Sequence, residues 1–283
     1  MNFKTFYHPL IFISIFILAA PNASGISFEQ DVSLTTQQKK LLDQLKERVI
    51  DQLPNEYMKK EINLIKWLRS SKFDVDVAES RMLRDVQWRK DRKMDTIHTE
   101  DWSDIEGQDY RYFLDGRDKL GRSFLYFEVK NLDNRKLILQ GKGERLLRYV
   151  EKGYDAGCSL IRELGEKYGN MTRGHLLVNL DGYNPIQHAC LRCLPFLIRM
   201  MFGYLEHYPE CVDHIICVNS PSAIKTLVDI ARPWIDDDLA NSVFIYGTNK
   251  QKWMAELSKD FDFDQLPPAL GGTKIYKGME EHE

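Results

Sequence analysis

The chain reads as an α/β protein in which a helical N-terminal lobe precedes a mainly parallel sheet sandwiched by helices. Three observations predict it. Residues 34–97 carry helical periodicity throughout. From about residue 102, short apolar runs bounded by turn residues alternate with helical stretches, the pattern of parallel strands joined by crossover helices. Finally, 283 residues that are 43% hydrophobic and 29% charged are enough for an ordinary globular core.

The first 25 residues stand apart. Lys4 precedes an apolar run from Leu10 to Ala20, and Pro21, Ala23 and Gly25 follow. A basic start, a short apolar region and small residues are the three parts of a secretory signal peptide, and the run is short for a membrane span. The expectation is a leader over residues 1–25 and a protein that is secreted or held in the secretory pathway. An uncleaved anchor and a cytoplasmic protein are the alternatives. Asn170-Met171-Thr172 is a sequon that secretion would open to glycosylation at Asn170. The five cysteines are odd in number and lack framework spacing, so they read as free thiols, with Cys190 and Cys193 as core residues of one helix.

In the N-lobe, residues 37–53 place Leu41, Leu42, Leu45, Val49 and Ile50 on one face, and Pro54 ends that helix. Residues 58–70 form a second helix around Ile62, Ile65 and Leu68. Asp74 or Asp76 can cap a third, which carries Val77, Met82, Leu83, Val86 and Trp88. Lys66, Arg69, Lys72, Arg81 and Arg84 make this lobe locally basic, either a solvated face or a surface for lipid headgroups.

The second region starts with turns. Asp115-Gly116 and Leu120-Gly121 flank a hairpin-like turn into a first strand at residues 123–129. A long helix covers residues 144–168, a strand residues 175–181, and one helix residues 186–207. Tyr208-Pro209-Glu210 then leads into a buried strand over Ile215, Ile216, Cys217 and Val218. Asn219-Ser220-Pro221 stops that strand and opens a helix whose Ile224, Leu227, Val228, Ala231 and Ile235 share one face. Pro233 ends or kinks it. A fourth strand at residues 242–246 and a short helix at 253–257 follow, and residues 274–283 form a polar tail.

Catalytic signatures do not assemble. There is no GxSxG or HExxH, and His175, His188, His207 and His214 fit no metal spacing along the chain. A net charge of −3 argues against nucleic acid as a partner.

Tyr208-Pro209-Glu210, the strand, Asn219-x-Pro221 and the helix ending in Arg232-Pro233-Trp234-Ile235-Asp236 together resemble the CRAL-TRIO lipid-binding family. The block LIKWLRSSKFDVDVAESRMLRDVQWRK resembles its N-lobe, and Asp118-x-x-Gly121-Arg122 its turn into the first strand. Leu266-Pro267-Pro268-Ala269-Leu270-Gly271-Gly272 resembles its terminator, with Leu270 where an aromatic is usual. The likeness runs over residues 34–272, nearest to the animal tocopherol-associated or supernatant-protein-factor type without its final β-sandwich domain. It divides the chain into an N-lobe at 34–97 and a lipid domain at 102–273.

The resemblance implies a gated hydrophobic cavity, with the helix after Pro221 as the gate and Pro221, Pro233 and Trp234 as its hinge. Phe124 and Tyr126 on the first strand, and Leu176, Val178 and Leu180 on the second, are the expected floor. Leu197, Met201, Ile224, Leu227, Val228 and Ala231 are the expected walls and lid. In the phosphoinositide-binding branch, the positions matching Glu210 and Arg232 help hold the headgroup. Here Cys211 stands where a basic residue often follows, so a tocopherol-like or isoprenoid ligand is as well supported. The implied activity is binding of a hydrophobic lipid and its transfer or presentation at a transient membrane surface, by a monomer without cofactor, metal or catalysis. A lipid-sensing interaction protein is the first alternative and a hydrolase a remote one.

Overall fold

The computed structural model describes residues 26–106, 110–225 and 241–279. Local chemistry starts most of its helices. α1 (Phe28–Val32) and α2 (Thr36–Val49) each open on a capping box, Ser27 with Gln30 and Thr35 with Gln38. α3 (Glu56–Lys59) and α4 (Glu61–Ser70) divide at Lys60 what the periodicity predicts as one helix. The chain then reverses through Lys72 and Phe73, both at positive φ, and α5 (Val75–Asp91) starts on an Asp74 cap. Leu42, Leu45, Leu64, Leu68, Ala78 and Met82 from α2, α4 and α5 close the N-lobe core.

α6 (Ser103–Glu106) leads into the second body. Antiparallel bridges from Phe113 to Tyr126 and from Arg117 to Ser123 form the expected hairpin-like approach to β1 (Phe124–Glu128). α7 (Asn134–Leu139) and α8 (Gly143–Tyr168) cross over to β2 (Gly174–Asn179). α9 (Pro185–His188) and α10 (Leu194–His207) cross over to β3 (Val212–Val218). β4 (Val243–Ile245) and α11 (Lys250–Asp260) complete the order. The sheet runs β1-β2-β3-β4, and all three pairings are parallel. Gly174 starts β2 where a Cβ would lie 2.4 Å from the Ser123 carbonyl oxygen, so the two strands meet only with a glycine there.

Two sequence expectations are corrected. The cysteines are not free core residues. Cys158 of α8 is bonded to Cys211 just before β3, and Cys190 to Cys193, which leaves Cys217 as the free thiol. Nor is 186–207 one helix. Its Cys190–Cys193 bond closes around a 3-10 turn at Leu191–Cys193, and α10 starts anew with Pro195 in its first turn. No helix among the described residues is long and apolar enough to cross a membrane.

Candidate functional site

The in-register parallel pairing aligns side chains across the sheet and separates its two faces. Tyr126, Leu177, Ile216 and Phe244 form one row, and Phe127, Val178, Cys217 and Ile245 form the next, on the opposite face. The first face is sealed. Phe124, Tyr126, Leu177, Ile216 and Val218 pack against Trp253 and Leu257 of α11 and against Phe261, Leu266, Leu270 and Tyr276. The motif at 266–272 thus serves as the cover of this core.

The opposite face gathers Val129, Val178 and Leu180 with Phe127, Leu176, Tyr183, Cys217 and Ile224. Its burial differs along the same strands. Phe124, Tyr126, Leu177 and Ile216 are buried; on the alternate face Val129, Val178 and Leu180 are buried too, whereas Leu125, Phe127, Leu176, Ile215 and Cys217 are only half-buried. An apolar sheet face left half-open is suited to receive an apolar ligand. Burial pushes the Cys217 thiol up to about 12, so it stays protonated and serves as an apolar side chain.

Leu176, Val178, Leu180 and Ile224 therefore come together as one surface. Phe124 and Tyr126 do not join it; they lie on the sealed face. Alternation separates the faces of β1 without saying which one α11 covers, and on the sealed face Glu128 accepts the Tyr126 hydroxyl at 2.7 Å. Leu197 also turns elsewhere, against the core that α8 builds with Trp102 and Tyr149. Met201 is half-buried on α10. Leu227, Val228, Ala231, Arg232, Pro233 and Trp234 lie outside the described residues.

Pro221 sits at the base of the segment that is helical at residues 222–225. Asn219 fixes that base. It adopts positive φ, donates to Asn179 Oδ1 at 2.9 Å and accepts from Trp253 Nε1 at 3.1 Å, linking β2, β3 and α11. The Asn-x-Pro motif signalled this point, but its partners are remote in sequence.

Glu210 is not beside the open face. It accepts from Arg69 and Arg173, each at 2.9 Å, where the N-lobe meets the second body. Asp31 of α1 joins the same cluster through Arg173, Arg69 and Thr172. Burial works to raise the Asp31 carboxyl, but the Arg173 and Thr172 hydrogen bonds and the Arg69 charge hold it below the ordinary value. Lys66 donates to the Thr172 carbonyl at 2.5 Å, and burial pulls it down to about 8. The N-lobe's Lys66, Arg69 and Arg81 thus turn toward the second body, not toward solvent. Beside this cluster a cavity of about 320 Å³ is lined by Tyr57, Trp67, Met82, Tyr208 and the Cys158–Cys211 bond.

Buried charge also gathers at the start of β2 and β3. His175 and His214 are register partners, and the adjacent Asp213 brings a carboxylate within 4.8 Å of both. The sequence offered no such pairing, because the two histidines lie on separate strands. Tetrahedral metal ligands stand about 3.4 Å apart. Here Asp213 is instead held by Arg122 at 2.8 Å, and Arg122 also holds Asp118 at 2.6 Å. Asn170 is exposed after α8, while Thr172 of its sequon is buried.

Comparison with known proteins agrees with this architecture. Residues 107–272 match the model of the CRAL/TRIO domain, more than half of the chain. The chain belongs to the CRAL/TRIO family. It is 26% identical over 216 residues to "Protein real-time" of Anopheles gambiae, covering 74% of this chain and 31% of that protein. It is 24% identical over 227 residues to the CRAL-TRIO domain-containing protein T23G5.2 of Caenorhabditis elegans, covering 78% and 30%. The chain thus spans about a third of the length of these relatives. The crystal structure of Sfh5 superposes with a TM-score of 0.61 at 13% identity, over 75% of this chain and 81% of that one, and shares the fold. The CRAL/TRIO domain supports lipid binding in general terms.

Proposed function

We propose that the protein holds one hydrophobic lipid between the half-open face of its sheet and the helix that begins after Pro221. It then transfers or presents that lipid at a membrane, as a monomer and without catalytic turnover. The observation that carries this is the contrast in burial along β1, β2 and β3: one face is sealed by α11 and the residues after it, while on the other Leu125, Phe127, Leu176, Ile215 and Cys217 are left half-covered around the buried Val129, Val178 and Leu180. Each CH₂ placed on that face contributes about 0.8 kcal/mol, so release into water is slow and exchange belongs at a membrane. Leu194, Ile198 and Phe202 form an exposed apolar stripe along α10, with Leu191 beside it, which suits brief contact with a bilayer.

Glu210 is engaged by Arg69 and Arg173, which favours a tocopherol-like or isoprenoid ligand over phosphatidylinositol. The Cys158–Cys211 and Cys190–Cys193 bonds suit an oxidising compartment and so support the secretory route. Mass spectrometry of the organic extract from protein secreted by animal cells tests the reading. One co-purifying lipid per chain is expected. A folded protein with an empty extract would return the open face to ordinary core.

A further inference from the structure

The segment at Ile26 reaches a buried carboxylate. The Ile26 backbone nitrogen faces both oxygens of Asp213, at 3.4 and 3.2 Å, and the Asp213 side chain is only 5% exposed. Asp213 occupies an irregular point of β3. The register steps from Gly174 opposite Val212 to His175 opposite His214, so Asp213 is the extra residue, which frees it from strict alternation. Arg122 is the guanidinium that bonds Asp213, and it bonds Asp118 as well, which His175 also meets at 3.0 Å; burial holds the neighbouring His214 down to about 4, which leaves it neutral. Two carboxylates share one guanidinium, and an amide N–H adds no charge.

We propose that hydrolysis of the Gly25–Ile26 bond by a leader peptidase creates an Ile26 ammonium that docks on Asp213 as an ion pair and fastens α1 across both lobes. Water adds across the peptide bond; Gly25 leaves as a carboxylate, and the Ile26 nitrogen takes up protons to become the ammonium. Ala23 and Gly25 are the small residues a leader peptidase accepts third and first before its bond. An ammonium carries three donors and a full charge, so it can satisfy both Asp213 oxygens where one amide hydrogen cannot. Each residue left ahead of Ile26 would carry the charge up to about 3.5 Å further along the chain.

The same segment is gripped a second time. Asp31 bonds Arg69 of the N-lobe and Arg173 and Thr172 of the lipid domain, while Phe28 and Val32 line the cavity between the two. Docking at Asp213 therefore sets α1 in place as a strap over the junction of the lobes.

The inference rests on the secretory reading, and the experiment separates the two. The full chain is secreted from animal cells and its N-terminus read by intact mass and sequencing; a start at Ile26 is expected. Chains starting at Ile26 and at Gly25 are then melted, each with Asp213 and with Asp213→Asn. The extra glycine should lower Tm by about 2–4 °C with Asp213 present and leave it unchanged with Asn. Should Asp213→Asn fail to fold, acetylation of Ile26 in the wild-type chain takes its place, with hydrogen exchange of the α1 amides expected to quicken about tenfold, a loss of about 1.4 kcal/mol. A retained leader overturns both readings. A start elsewhere, equal Tm losses in both backgrounds, or unchanged exchange overturns the ion pair and leaves secretion standing.

Discussion

The two faces of the sheet are built from the same strands and differ in what covers them. On one, Trp253, Phe261 and Tyr276 are almost fully buried against Phe124 and Tyr126, and aromatic contacts link Phe124 to Phe261 and Tyr126 to Tyr276. On the other, Phe127, Leu176 and Cys217 remain half-buried beside the buried Val129, Val178 and Leu180. The first face supports the fold, and the second is the one proposed to receive a ligand. An apolar face kept partly uncovered forgoes stability that a ligand can restore.

Mutations on the two faces should therefore separate sharply. Trp253→Ala removes a large buried side chain and one hydrogen bond to Asn219, and should cost about 3–5 kcal/mol in urea unfolding. Leu176→Ala, on the open face, should cost about 1–2 kcal/mol. Equal losses would break the comparison. Breaking the Cys158–Cys211 bond by Cys158→Ala with Cys211→Ala should cost about 2–4 kcal/mol, because that link closes a 53-residue separation and ties α8 to the entrance of β3. The same change at Cys190 and Cys193, 3 residues apart, should cost less.

Leu176→Trp sharpens the contrast from the other side. A bulky side chain on the open face should weaken lipid binding about tenfold, or about 1.4 kcal/mol, with Tm nearly unchanged. Maleimide labelling of Cys217, slow in any state because burial keeps the thiol protonated, should slow further when lipid is bound. Unchanged labelling would place the ligand elsewhere.

The smallest effect is expected at α1. Asp31 is held below its ordinary pKa by Arg173, Thr172 and Arg69 against the opposing effect of burial. A lowered carboxyl contributes its stability above the unfolded value and loses it as pH falls through the folded one. Protection of the residue 28–32 amides, relative to their intrinsic exchange, should therefore be high at neutral pH and fall below about pH 4. Asp31→Asn should abolish that dependence.

Much of the fold was legible in the chain. Periodicity located α2, α5, α8 and the four strands, since the positions of Leu42, Leu45 and Leu68 report a core face through local geometry; it ran α3 and α4 together and did not place α1. The Asn219-x-Pro221 and Leu266–Gly272 motifs marked the right points. The site was less legible. Leu176, Val178, Leu180 and Ile224 do share a face, but Phe124 and Tyr126 lie on the other, and Leu197 packs against α8.

Sequence by itself determined the order and kind of the elements and the membership of a lipid-binding family, because helix and strand periods and turn chemistry act over a few residues. Tertiary structure alone decided which sheet face α11 seals, which cysteines meet, and that Glu210 and Asp31 answer to Arg69 and Arg173. Each of those depends on contacts between residues far apart in the chain. A period of two distinguishes two faces, and only packing decides which of them is left open.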